Sequence, residues 1–286
     1  MKTNNRKNSI IWTDDELDFL KNNYMTLSRV EMAKKLNKKK SSIDSKMKTL
    51  NLKRGKVRKY SVNEKFFEVI DTEEKAYWLG FIFADGCVLD RKLPNGNKNG
   101  KKLKISLKRS DKKHLEKLNE CINSDYPIKN KVSKIKQVEY PTAEISISNT
   151  EFVNYLIEQN VEPRKTYKNK VPIICNDLMR HFIRGYVDGD GYIGRIVGDN
   201  RIKYSVEIVS YSKGVLEDVQ RYLLKHKIES HIYLKSKNRK DYRLMIFSHN
   251  SVKSLLTLLY EDSNIYLQRK YDIAQKILDE LVPNHK

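Results

Sequence analysis

Apolar residues recur along this chain in two rhythms, one with helical spacing near the start and a mixture of helical and strictly alternating runs further on. Leu17, Leu20 and Tyr24 fall on one face of a first helix, Val30, Ala33 and Leu36 on one face of a second, and Ile43, Met47 and Leu50 on one face of a third. Each run opens with a hydroxyl residue and an acid three places on: Thr13 with Glu16, Ser28 with Glu31, Ser41 with Asp44. Such pairs satisfy the free amides of a first helical turn. The pattern predicts a small three-helix domain over residues 1–54, with Ser42, Ser45, Lys46, Lys48 and Thr49 facing outward from the third helix. The stretch KRGKVRKYSVNEK is polar, basic and without periodicity, and it places a linker at 55–70.

From residue 71 the pattern runs twice. WLGFIFADG at 78–86 and IRGYVDGDG at 183–191 share a layout of apolar residues, two small residues four places apart, and Asp-Gly. Asp71 with Glu74, and Asn176, are the expected helix starts. Gly80 with Ala84 and Gly185 with Gly189 lie at a helical interval, where missing side chains let two backbones approach closely. Glycine inside a helix costs about 1 kcal/mol against alanine, so these positions imply a compensating helix–helix contact. Packed side by side, the helices would bring Asp85 and Asp190 together at their C-terminal ends, with Gly86 and Gly191 expected to supply a left-handed exit.

After each Asp-Gly come the same elements in the same order. LKISLKRSD, DKKHLEKLNECI, EISISN and EFVNYLIEQNV read as strand, helix, strand, helix, and so do YSVEIVSYS, GVLEDVQRYLLK, YRLMIFS and NSVKSLLTLLY. Lys129–Lys136 and His231–Lys235 read as further strands. Each half, 71–170 and 171–286, is then helix, two strands, helix, two strands, helix. Lys102, Lys104, Ser106 and Lys108 share one strand face and Leu103, Ile105 and Leu107 the other, so the first sheet has an apolar core face and a basic open face.

Charge sharpens this picture. The 286 residues carry 57 Lys and Arg against 36 Asp and Glu, a formal net charge of +21 spread throughout the chain, with a pI near 9.6. A polyanionic partner is expected. No stretch approaches the roughly 18 apolar residues of a membrane span, and no apolar leader follows Met1, so a cytoplasmic protein without membrane contact is expected. Cys87, Cys121 and Cys175 lack paired spacing and read as reduced; His226 and His231 lack partners for a zinc site and read as surface residues. Two carboxylates at the negative ends of two helix dipoles call for a hard divalent cation such as magnesium, completed by water and an anionic substrate.

The three-helix stretch resembles helix-turn-helix or Myb-like DNA-binding modules, with Lys46 and Lys48 on the face suited to a major groove. The two motifs resemble LAGLIDADG, the signature of LAGLIDADG homing endonucleases, over about residues 71–286. The resemblance implies an α+β chain with a duplicated fold: two αββαββα halves in a monomer that acts as a pseudo-dimer, forming a β saddle over double-stranded DNA. It implies that Asp85 and Asp190 are catalytic and bind Mg2+ or another divalent cation such as Mn2+, with Gly86 and Gly191 as accompanying metal-site positions. A late lysine in each half is also implied, Lys165 at eighty residues after Asp85 (165 − 85) and Lys270 at eighty after Asp190 (270 − 190), each within an Arg-Lys pair. Lys102, Lys104, Ser106 and Lys108 would face DNA. The sixth motif position is Phe83 in one copy and Asp188 in the other, and Asp188 is assigned no catalytic role.

The implied activity is a metal-dependent double-strand break at a long recognition site, by an enzyme encoded within an intron or as a free-standing mobile gene. An RNA-binding intron maturase and a non-cleaving DNA-binding regulator are the alternatives. An intein is disfavoured by the Met1 start and the LVPNHK end.

Overall fold

The structure is a computed structural model that describes residues 11–52, 59–90, 100–135, 137–163, 170–198, 201–236 and 241–281, with the backbone alone at 135, 196–198, 201, 202, 235 and 236. It divides into two compact units, Met1–Lys59 and Tyr60–Lys286.

The first unit holds α1 (Asp14–Asn23), α2 (Arg29–Lys35) and α3 (Lys40–Thr49). Thr13 and Ser28 each close a capping box with Glu16 and Glu31. The third expected box is absent: α3 starts one residue earlier than Ser41, behind Lys39, which makes no side-chain cap. Leu20, Met32, Ala33, Ile43 and Met47 form the core, with Trp12, Phe19, Tyr24, Leu27, Leu36 and Leu52 packed around them. Val30 stays 63% exposed; Ala33 and Leu36 of the expected stripe do pack in the core, and Met32 joins them there in place of Val30.

The second unit is α+β and duplicated. Its first half runs α4 (Glu73–Asp85), β1 (Cys87–Leu89), β2 (Lys102–Lys108), α5 (Lys112–Cys121), β3 (Lys129–Ile135), β4 (Val138–Ile147) and α6 (Thr150–Glu158). The second repeats it as α7 (Asn176–Asp190), β5 (Tyr192–Gly198), β6 (Arg201–Ser210), α8 (Lys213–Lys225), β7 (His231–Ser236), β8 (Asp241–Ile246) and α9 (His249–Tyr260), then adds α10 (Gln268–Glu280). Each half forms one antiparallel four-stranded sheet, ordered β1-β2-β4-β3 and β5-β6-β8-β7. Alternation decides which face is covered: Leu103, Ile105 and Leu107 in β2, and Val206 and Ile208 in β6, join the core. Helix starts differ from expectation in detail. Thr72, not Asp71, caps α4 by accepting from the Lys75 amide, while Asp71 pairs with the Lys75 ammonium at 2.7 Å. Behind Cys175, α7 begins without a side-chain cap.

Candidate active site at the paired helix ends

The second unit is organised around the contact between α4 and α7. A Cβ built on Gly80 would lie 2.0 Å from the Phe182 carbonyl oxygen, and one on Gly185 2.0 Å from the Tyr77 carbonyl oxygen. One turn on, a Cβ on Gly189 would lie 2.7 Å from the Ala84 methyl. Backbone therefore meets backbone along this seam, and the four small residues are what permit it. Around them the packing is aromatic: Phe83 sits 5.6 Å from Phe182 and 5.8 Å from Tyr186, ring centre to ring centre.

Asp85 closes α4 half-buried and Asp190 closes α7 exposed. The expected left-handed exits are not there: Gly86 has φ −71° and Gly191 φ −75°, both extended. Glycine is required for a different reason, since a Cβ would meet the Ile82 carbonyl oxygen at 2.4 Å and the Val187 carbonyl oxygen at 2.6 Å. The chain leaves each helix pressed against its last turn.

Lys270, in the first turn of α10, is buried with its Nζ donating to the Val187 carbonyl at 3.3 Å and to the Gly191 carbonyl. Its ammonium thus sits at the negative end of α7, where the Val187 carbonyl also accepts the Gly191 amide at 2.9 Å. Burial, reinforced by the Arg269 charge, brings Lys270 down to about 8 against the opposing pull of Asp188, Asp85 and Asp190. All three carboxylates are within electrostatic reach of this one lysine. Lys165 lies outside the described residues.

Asp188 is fully buried. Its carboxylate accepts from the Tyr77 hydroxyl at 2.8 Å, the Tyr260 hydroxyl at 2.7 Å and the Leu267 amide at 2.7 Å. Burial pushes its pKa up, and those three hydrogen bonds and Arg184 pull against it. Nearby, the fully buried Arg184 donates to Glu73 at 2.6 Å, to His181 at 2.9 Å, and to the Leu259 and Ile265 carbonyls at 2.9 Å each. The motif resemblance marks Asp188 as its sixth position but says nothing of its partners, which arrive from α4, α9 and the start of α10.

Residues 177–259 match the family model of a LAGLIDADG-like domain. The chain carries a LAGLIDADG-like domain. The half before it has the same αββαββα order and a sheet of like strand order. Among solved structures, a mesophilic variant of the homing endonuclease I-DmoI covers 69% of this chain and 92% of its own at 18% identity, with a TM-score of 0.46. I-GzeII, a LAGLIDADG homing endonuclease in complex with a DNA target, covers 74% and 98% at 10% identity and 0.48. I-LtrWI, bound to target DNA, covers 76% and 91% at 12% identity and 0.49. A probable translation initiation factor IF-2 of Methanocaldococcus jannaschii is 28% identical over 202 residues, 66% of this chain. The chain spans 15% of that relative's length.

In the first half of the second unit, Lys102, Lys104, Ser106 and Lys108 stand on the open face of β2. Lys104 reaches Glu144 at 2.7 Å and Lys131 does so at 2.5 Å. Burial would raise the Glu144 carboxyl, but the two lysines together hold it below the usual carboxylate range. In the first unit Lys48 is exposed, whereas Lys46 lies over the Trp12 ring at 5.8 Å, as Lys38 does at 4.9 Å. Among the described residues no three His, Cys, Asp or Glu side chains gather as a metal cluster, the three cysteines are free, and no helix is long and apolar enough to cross a membrane.

Proposed function

We propose that this chain is a site-specific DNA endonuclease that cuts both strands of a long recognition site with the help of a divalent cation. The observation that supports this reading most is the glycine-lined seam, which sets the C-terminal ends of α4 and α7 side by side, with Lys270 donating to the Gly191 carbonyl beside Asp190. A nuclease needs anionic oxygens to hold a cation, and a cation of its own to meet a phosphate.

The donor set fits magnesium or manganese: carboxylate oxygens are hard ligands, and two of them leave positions for phosphate and water. Asp85 and Asp190 would hold the ion, which when bound would polarise the scissile phosphates and promote attack by water. The Gly86 carbonyl is the accompanying main-chain donor. The Gly191 carbonyl fits less well, because it already accepts from Lys270. Lys270 supplies fixed positive charge beside the two carboxylates, where a pentacovalent phosphate would develop negative charge. Lys165 is proposed for the equivalent place in the first half. The open sheet faces would carry base and backbone contacts, and the front unit, through Lys46, Lys48 and Ser45, would lengthen the recognised site.

The test is cleavage of a randomised duplex library in magnesium, compared with calcium or chelator, followed by sequencing of the ends. Recurrent ends that need magnesium are expected, and Asp85→Asn should abolish double-strand cleavage while duplex binding stays within a few-fold. Cleavage by Asp85→Asn at the native rate removes Asp85 from the chemistry. Selective binding without any cutting would assign the fold to a regulator or an RNA-binding protein instead.

A further inference from the structure

The two sheets differ in what dominates their open faces, although the first also exposes Val138 and Tyr140 at the outer end of β4. In the first, strand register sets Lys104 opposite Ser146, Ser106 opposite Glu144 and Lys108 opposite Thr142, with Lys129 and Lys131 on the neighbouring strand opposite the same Glu144 and Thr142. Lys102 completes a face of five lysines about one buried glutamate. Such a face offers hydrogen-bond donors.

The second face is built from rings. Burial of Leu244 and Ile246 in the core turns Arg243 and Met245 to the open side, and register sets Tyr233 opposite Arg243 and His231 opposite Met245. Phe247 continues that alternation and stacks on His231 at 5.3 Å and 19°. His231 and Tyr233 lie 6.2 Å apart. Tyr233 and Phe247 are 46% and 47% exposed, although each is large and apolar. On β5, Tyr192 folds its ring over Gly194, where a Cβ would strike the ring, and still stays 48% exposed. Cationic charge is present here too, on the inner strands β6 and β8, as Lys203 and as Arg243 turned 3.4 Å from Glu207, while the rings of Tyr192, His231 and Tyr233 stand on the outer strands β5 and β7 and Met245 lies between.

Resting on the endonuclease reading, we infer that the two half-sites are read by different chemistry: guanine acceptors under the first sheet, thymine methyl groups under the second. In the major groove guanine shows two acceptors, O6 and N7, that suit lysine, and thymine shows a C5 methyl that suits apolar contact. Hydrocarbon and ring surface exposed on a chain of charge +21 needs an occupant that is anionic outside and apolar where it meets the rings. A duplex whose thymines face the second sheet is such an occupant. Tyr233, Phe247 and Tyr192 are then specificity-determining residues for that half-site.

The experiment selects duplexes from a randomised pool with the full-length protein, then replaces each thymine by deoxyuridine and each guanine by 7-deazaguanine. Loss of one buried methyl should weaken binding roughly fourfold. The expected result is that deoxyuridine-sensitive positions gather in one half-site and 7-deazaguanine-sensitive positions in the other. In the Tyr233→Ser, Phe247→Ser protein the first set should lose its sensitivity while the second keeps it. Sensitive positions of both kinds spread evenly over a selected duplex, or no effect of deoxyuridine, overturn the inference and leave the endonuclease reading standing. Failure of the pool to yield any preferred duplex overturns both. The segregation of the two kinds of position is read with the unmutated protein alone, so that deciding outcome does not depend on how the variant folds.

Discussion

Phe83 and Asp188 occupy the same motif position in the two halves, and their surroundings explain the difference. Phe83 packs on the rings of Phe182 and Tyr186 across the seam, while Asp188 is held by two tyrosine hydroxyls and an amide that come from 111, 72 and 79 residues away. An acid in an apolar stretch is legible in a sequence, but partners at such separations are not, because no local spacing links them. Asp188→Ala would leave the Tyr260 hydroxyl and the Leu267 amide without their acceptor, and Tyr77 with His114 alone, and should cost on the order of 3 kcal/mol in urea unfolding. Asp188→Asn keeps an oxygen for Tyr77 and Leu267 and should cost clearly less; equal losses from the two would mean that charge, not hydrogen bonding, is what matters there. His114 is a second buried polar group, 3.0 Å from the Tyr77 hydroxyl, and burial brings it down to about 3, with Lys117 and Arg269 adding to the effect. His181 is likewise lowered, to about 4, by burial and then Arg184. Below pH about 6.5 the unfolded chain takes up protons that these folded imidazoles refuse. Stability is therefore expected to be intact above that pH and to fall as the pH drops toward 4, by at most about 1.4 kcal/mol per unit from His114. Asp188, whose pKa is raised, acts in the opposite sense. Urea midpoints measured at pH 7 and pH 5 should separate in wild type and draw together in His114→Gln.

Among the elements, α4 and α7 were the most readable, because small residues at a four-residue interval have one common structural use. The seam predicts a graded series. Gly80→Ala and Gly185→Ala each drive a methyl into a main-chain carbonyl at 2.0 Å and should prevent stable folding, whereas Gly189→Ala meets only the Ala84 methyl at 2.7 Å. That last change should cost about 1–3 kcal/mol of overpacking, offset in part by the better helix propensity of alanine. Thermal melts rank the three, and a Gly80→Ala protein as stable as wild type would show that the helices do not meet there. What the spacing got wrong was the reason for Gly86 and Gly191, which are needed for clearance above the last turn and not for positive φ. The element missed altogether was α10. Its buried positions are Lys270, Ala274 and Ile277, and a lysine in the first core position with an alanine in the second hides the apolar stripe that marks a helix. The same lysine was found by its Arg-Lys pair, so the residue was legible where its helix was not.

Over the whole molecule, the doubled order of elements and the excess of positive charge were both readable, since each is a property summed over many residues and survives local errors. The front unit tests how far that charge is put to use. Removing residues 1–54 should shorten the protected region on a bound duplex and weaken binding at moderate salt, while leaving the cut position unchanged. A footprint of the same length would give those helices another partner. The contacts across the seam are also unequal in the two directions. Tyr77 and Glu73 of the first half serve Asp188 and Arg184 of the second, and the motif alignment places Phe182, which has no hydroxyl, where Tyr77 stands. A second half that met another second half would lose a partner for its buried acid on both sides at once. The duplicated chain thus encodes mutual recognition between unlike siblings, and a copy severed between its halves should reassemble with its complement and refuse its own kind.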